Sequence, residues 1–153
     1  MKGIVFVSYL ENKYSRSGVL LSALKKQGSF SVSHFQMKSF QIDNIAKYIS
    51  FLRELNPLND LVVVMSPSHM ITPLTKCFFK GVVILDAGWP LSDSSRIRKG
   101  RFSLTYLKDK LIDYIAMFSA DLVTLESERQ RERLESSLIA FRNKPKVLYT
   151  GVL

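Results

Sequence analysis

The segment Leu61-Val62-Val63-Val64-Met65 is apolar at every position, with no alternation between apolar and polar residues. Unbroken runs of this kind suit strands of a parallel sheet, because helices cover both faces of such a sheet. Three further strong runs and a short final run have the same character, and one run alternates as an edge strand does. The apolar runs cover residues 4–9, 82–85, 122–125 and 147–149, and the edge candidate covers residues 30–35.

Helical patterns separate these runs. Apolar residues recur every three or four positions from Ile42 to Leu55 and from Leu104 to Phe118, so each segment forms one apolar stripe. A shorter helix over residues 18–26 stops at Gly28, where a helix C-cap favours glycine.

Two further helices are indicated by their first turns. Ser127 and Gln130 have the spacing of a capping box, which predicts a helix start directly after the run 122–125. A helix is also expected over residues 70–79, with Pro73 restricted to its first turn or bending it.

The alternation of strands and helices predicts an α/β fold in one domain, residues 1–153. We expect a Rossmann-like, doubly wound, mainly parallel sheet of about six strands with helices on both faces, since parallel neighbours need helical crossovers of one hand. Ligands of such sheets bind beyond the carboxyl ends of the strands. The loops of interest are therefore residues 10–17, 66–69, 86–101 and 126–127.

Composition excludes several classes of protein. The 153 residues are 46% hydrophobic with 7 glycines and 5 prolines, which is incompatible with disorder or a collagen-like repeat. One cysteine and two histidines cannot build a disulfide framework or a structural zinc site, so no metal is expected. No apolar run approaches the ~20 residues that span a bilayer, and the first ten residues lack a signal-peptide cleavage site. A cytoplasmic location is predicted, either soluble or peripheral at the inner face of the membrane.

The chain is strongly basic, with 22 Lys+Arg, 13 Asp+Glu and a formal net charge of +9. Two windows without any acid, residues 12–42 and 94–108, hold ten of the cations. Such windows favour an anionic membrane surface as partner, above all if they share one face. Nucleic acid ranks lower, because no recognition-helix or RNA-binding strand motif is present.

Motifs for several common cofactors are missing. No G-x-G-x-x-G follows the first strand, and no G-x-x-x-x-G-K-[ST] occurs, so no nucleotide cofactor is expected in this chain. A receiver-type phosphoacceptor domain would need an aspartate after the third strand, where this sequence has Ser66 and Pro67.

The segment after the fourth strand carries the most distinctive chemistry. Arg96, Arg98 and Arg101 could hold a phosphate or pyrophosphate, because guanidinium groups match phosphate oxygens; the alternative is a solvated basic loop. Asp86 ends a buried strand, where a carboxylate could orient an acceptor hydroxyl or take its proton. Its alternative role is to cap backbone N–H groups of the turn.

Two rings at the same edge have similar alternatives. Trp89 could stack on a sugar ring, or pack its own loop down beside Pro90. His69 could carry a proton, or be a structural residue.

Four segments resemble the N-terminal domain of a GT-B glycosyltransferase of the group 1 type. They are residues 2–7 with the following loop and helix, residues 83–86 with a long loop, residues 113–127, and residues 146–152 at the end. The resemblance covers essentially the whole chain. It departs from the family pattern after the first strand, where many relatives have two adjacent glycines and this chain has only Gly18.

The resemblance implies an enzyme of two Rossmann-like domains, a hexosyltransferase-like protein of polysaccharide or glycolipid synthesis. This chain would be the acceptor-binding half, inactive alone, and a C-terminal domain or partner subunit would bind the nucleotide-sugar donor. Asp86 is then the candidate catalytic residue, and the acceptor would be a glycan or a lipid-linked sugar. The candidate acceptor-binding residues are Lys13, Ser15, Arg16, Ser66, His69, Trp89, Arg96, Arg98 and Arg101.

Three alternatives to that function remain open at the level of sequence. The chain could be one subunit of a split glycosyltransferase, a non-catalytic α/β binding module, or a module regulated by a nucleotide.

Overall fold

The computed structural model describes residues 3–9, 16–137 and 145–148. These residues form one six-stranded sheet with helices packed against it. Every strand pairing in the sheet is parallel. The strands are β1 (Gly3–Ser8), β2 (Ser31–Gln36), β3 (Asp60–Met65), β4 (Val82–Gly88), β5 (Leu122–Leu125) and β6 (Lys146–Val147). Their spatial order is β2-β1-β3-β4-β5-β6, which confirms the α/β, Rossmann-like fold and places the alternating strand β2 at an edge.

Helices connect successive strands. They are α1 (Arg16–Gln27), α2 (Ile42–Glu54), α3 (Thr72–Phe78), α4 (Leu91–Lys99), α5 (Leu104–Ser119) and α6 (Glu128–Ser137), and the 3₁₀ helix His69–Ile71 precedes α3. No helix in the described ranges is both long and apolar enough to cross a bilayer.

Alternate residues of the strands belong to two apolar clusters, one on each face, because successive side chains point to opposite faces of a sheet. On one face, Phe6, Val63 and Met65 pack against leucines of α1. On the other face, a larger cluster joins the strands to α2, α5 and α6, and it includes Tyr48 and Met117. Helix α1 therefore lies on the opposite face from α5.

Local sequence sets several helix ends as predicted. Helix α1 stops before Gly28, which has a φ of 70°, and Pro73 lies in the first turn of α3. At the start of α6, the Ser127 hydroxyl accepts a hydrogen bond from the Gln130 N–H at 3.3 Å. The Gln130 side chain accepts from the Glu126 N–H at 3.2 Å, one residue earlier than a capping box requires.

The prediction of a loop over residues 86–101 is wrong for most of that segment. Strand β4 continues to Gly88, and Leu91–Lys99 is helix α4. Its N-cap residue is Pro90, which makes no side-chain cap hydrogen bond. The cap comes instead from Asp113 of α5, whose carboxylate accepts from the N–H groups of Leu91 at 3.2 Å and Ser92 at 2.8 Å. A cap supplied by another helix leaves no local sequence signal.

Candidate functional site

The carboxyl ends of β3 and β4 bring Ser66 and Asp86 together. Met65 pairs with Asp86 in the sheet, and the Ser66 N–H donates to the Asp86 carbonyl oxygen at 3.0 Å. The Asp86 side chain is buried and accepts a hydrogen bond from the Thr124 hydroxyl at 2.8 Å. Asp86 is thus held rigidly below the surface, and its catalytic role stays a prediction.

A buried histidine and carboxylate lie beside Asp86. His69 Nε2 is 3.8 Å from Asp113 Oδ1, and both side chains are inaccessible to solvent. Neither ring nitrogen has a hydrogen-bond partner of good geometry among the described residues. Burial lowers the pKa of His69, against the opposing influence of Asp113, the Pro67 carbonyl and Asp86. We therefore take His69 as a neutral ring at pH 7.

Asp113 experiences the opposite effect of the same environment. Burial raises its pKa above the ordinary carboxyl value, while His69 and the hydrogen bonds from Ser92 and Leu91 act in the other direction. Because its two oxygens accept the first N–H groups of α4, Asp113 fixes α4 against α5. The walls of the neighbouring pocket depend on that attachment.

A pocket of about 110 Å³, here called the cationic pocket, opens between α4, α5 and α6. It lies towards the carboxyl edge of the sheet, since α4 follows β4 and α6 follows β5. Four cations and two carboxylates line it, together with hydroxyl groups. The lining residues are Ser92, Asp93, Arg96, Arg101, Tyr106, Lys110, Asp113, Arg133, Leu134 and Ser136.

The charges of the cationic pocket are only partly balanced. Asp93 is shared by two arginines, with Arg96 at 3.6 Å and Arg133 at 3.4 Å. Arg101 and Lys110 form no ion pair with any residue in the described part of the chain. The described lining therefore carries an excess of positive charge beside hydroxyl groups, which is the chemistry that binds phosphate.

The structure separates residues that the sequence grouped. Arg96 and Arg101 line the cationic pocket, whereas Arg98 lies with Trp89 at a separate open cavity of about 300 Å³. Residues two apart on a helix point to different sides, so a helical α4 cannot aim Arg96 and Arg98 at one ligand. Trp89 is 44% exposed and is not packed down.

The remaining predicted residues are distributed along the same edge or lie outside the described part. His69 is fully buried, and Ser66 directly follows β3. Lys13 and Ser15 lie outside the described residues, and Arg16 is the first residue of α1. The connection between β1 and α1 therefore contributes no described side chain to the site.

Sequence reasoning missed most of the residues that line the pocket, including four polar or charged ones on α5 and α6. Tyr106, Lys110 and Asp113 occupy positions i, i+4 and i+7 of α5, and Arg133 comes from α6. The helical spacing of the first three was a usable signal, because it places them on one face opposite the apolar stripe. The spacing alone did not indicate a site, because polar residues opposite an apolar stripe ordinarily face solvent.

The pocket is displaced from the usual ligand position of this architecture. Between β1 and β3 the strand order reverses, because β2 lies on one side of β1 and β3 lies on the other. Open parallel sheets commonly bind ligands at such a position. There the Tyr9 N–H donates to the Ser68 hydroxyl at 2.9 Å. The cationic pocket instead lies beyond β4 and β5.

No protein-family model matches the chain, and no curated protein matches it significantly. The likeness to GT-B glycosyltransferases therefore depends on the four sequence segments named above. Within the described residues, no group of three or more histidine, cysteine, aspartate or glutamate side chains is arranged to hold a metal ion.

Proposed function

We propose that this chain is the acceptor-binding part of a glycosyltransferase that transfers a sugar from a nucleotide-sugar to a glycan or lipid-linked acceptor. The observation that supports it best is the cationic pocket, with Arg101 and Lys110 unpaired in the described structure and two arginines sharing Asp93. Sugar acceptors carried on lipids commonly bear a phosphate or pyrophosphate, and this pocket suits such a group. The donor nucleotide-sugar would be held by a C-terminal domain or by a partner subunit.

The proposal gives each part of the site a role. The cationic pocket binds the acceptor phosphate, with Arg96 and Arg101 as the predicted residues and Lys110 and Arg133 added by the structure. Asp86 remains the candidate for orienting the acceptor hydroxyl or taking its proton, reached from the same edge of the sheet. Asp113 acts as a positioning residue, because it fixes the first turn of α4. His69 lies buried beside it.

Binding of inorganic pyrophosphate, followed by calorimetry, tests the pocket directly. Replacing Arg101 and Lys110 together by alanine should weaken binding roughly tenfold or more, because two charge-assisted contacts are lost. The matched control replaces Arg98 and Lys99, two exposed cations of α4 that do not line the pocket. Equal losses in the two double variants would mean that general positive charge, and not the pocket, attracts the anion.

Sugar transfer tests the wider assignment. Catalysis needs donor and acceptor held together, so the isolated chain should not turn over nucleotide-sugars, whereas transfer should appear when the donor-binding part is supplied. Transfer by residues 1–153 alone would contradict the division of labour. Saturable binding of a nucleotide by the isolated chain would favour the nucleotide-regulated alternative.

A further inference from the structure

Helix α5 exposes its apolar stripe instead of burying it. Here we call five residues of that stripe the α5 apolar face: Leu104, Leu107, Leu111, Ile115 and Phe118, each between 43% and 85% exposed. The residues of α5 that face inward include Asp113, Ala116 and Met117. An amphipathic helix of a soluble protein ordinarily turns its apolar side to the core. This helix therefore presents a surface that suits another apolar phase.

Aromatic and basic residues extend this surface. Phe102, two residues before the helix, is 98% exposed. Arg98, Lys99 and Arg101 precede it within four positions, and exposed Lys108 lies one helical turn after Leu104.

The acids of the same region point elsewhere. Between Ser94 and Ala120 the chain has six cations and two acids. Asp113 is buried, and half-buried Asp109 accepts a hydrogen bond from the Ser95 hydroxyl. The outward surface of this region is thus apolar and positively charged.

We propose that the α5 apolar face, with Phe102 and its neighbouring cations, docks on an anionic lipid surface. An interfacial helix lies in the membrane plane with its apolar side inserted about 5–10 Å, flanked by Lys and Arg. Charge decides between occupants, because a bilayer with anionic head groups complements the exposed cations Arg98, Lys99, Arg101 and Lys108 that accompany this face in the chain. A second copy of this chain would place the same cations opposite one another.

The docking surface proposed here differs from the one expected from sequence, in which both acid-free windows would face the membrane. The two acid-free windows do not share a face, since α1, with Lys25 and Lys26, covers the side of the sheet opposite α5. The docked side is that of α5.

Docking would also place the cationic pocket near the head groups. Lys110 and Tyr106 line the pocket from α5 itself, and a helix is only about 10–12 Å across with its side chains. A phosphate at the membrane surface would lie within reach. This consequence rests on the proposed function, whereas the docking itself does not.

Sedimentation with vesicles tests the docking without any transfer reaction. We expect binding to phosphatidylcholine vesicles containing phosphatidylglycerol and little binding to pure phosphatidylcholine. Replacing Phe102 and Leu104 by serine should weaken partitioning roughly tenfold or more, because two inserted apolar side chains are lost. The matched control replaces Ile42 and Leu58, which are 84% and 90% exposed but lie away from α5, and should bind like the original protein.

A charge comparison completes the test. Changing Arg98 and Lys108 to glutamine should reduce binding more than the same change at Lys25 and Lys26, although both pairs remove two exposed cations. Equal effects within either matched set, or equal binding to neutral and anionic vesicles, would overturn the proposal. Absence of vesicle binding, together with a dimer that Phe102→Ser with Leu104→Ser dissociates in ultracentrifugation, would assign the face to a second copy. Binding of pyrophosphate is measured separately, so its failure would leave the docking result standing.

Discussion

Replacing Asp113 by alanine should destabilise the protein and release the start of α4 from α5. The side chain is buried, and its two oxygens accept hydrogen bonds from Leu91 and Ser92. Hydrogen bonds to a charged group contribute about 1.5–3 kcal/mol each. Because two such bonds are lost, we expect a loss of about 3–6 kcal/mol in the free energy of unfolding at pH 7.

That loss is a large part of the ~5–15 kcal/mol that stabilises a typical domain. Urea unfolding followed by circular dichroism measures it. Asp113→Asn keeps the size of the side chain and one accepting oxygen, so its cost should be about half as large. Asp43, an exposed acid in the first turn of α2, supplies the control, and Asp43→Ala should change stability by no more than about 0.5 kcal/mol.

The same variant should weaken the cationic pocket. Pyrophosphate affinity should fall in folded Asp113→Ala even though Asp113 carries negative charge, because α4 would no longer be held in place. An unfolding cost below about 1 kcal/mol, or pyrophosphate binding that improves as expected from simple removal of a negative charge, would refute the anchoring of α4 by Asp113.

Two further predictions concern His69 and Asp86. Burial lowers the pKa of His69 on folding. Between that lowered pKa and the ordinary value near 6.5, the unfolded chain binds more protons than the folded chain, so stability rises with pH. His69→Gln should flatten this rise in urea titrations at a series of pH values, and an unchanged slope would contradict the prediction. In an enzyme supplied with its donor domain, Asp86→Asn should lower turnover without lowering the melting temperature, since the amide oxygen still accepts from Thr124. Normal activity with a lower melting temperature would instead give Asp86 a purely structural role.

The sheet could be derived almost entirely from local sequence. Apolar runs marked the strands because a strand covered on both faces has no polar side. The more polar β2 was expected at an edge, and the structure places it there with most of its residues exposed. Gly28 and Pro73 marked helix ends because each has a backbone restriction of its own. Such signals act within a few residues of the chain.

The candidate site was only partly accessible to the same reasoning. Arg96 and Arg101 were found because they are concentrated after a strand end. Their partners Lys110 and Arg133 were not, since they come from helices that meet only in three dimensions. The division of Arg96 from Arg98 followed from the helical state of α4, which sequence did not predict.

The sequence by itself determined the strands, the helices other than α4, the excess of positive charge and the apolar stripe of α5. Tertiary structure decided how these features face one another. Asp113 caps α4 across a gap of 21 residues in the chain, and the stripe of α5 faces outward while Lys110 and Asp113 face the pocket. Periodicity gives the angle between two faces of a helix but not which face is buried, because that choice depends on contacts between residues distant in sequence.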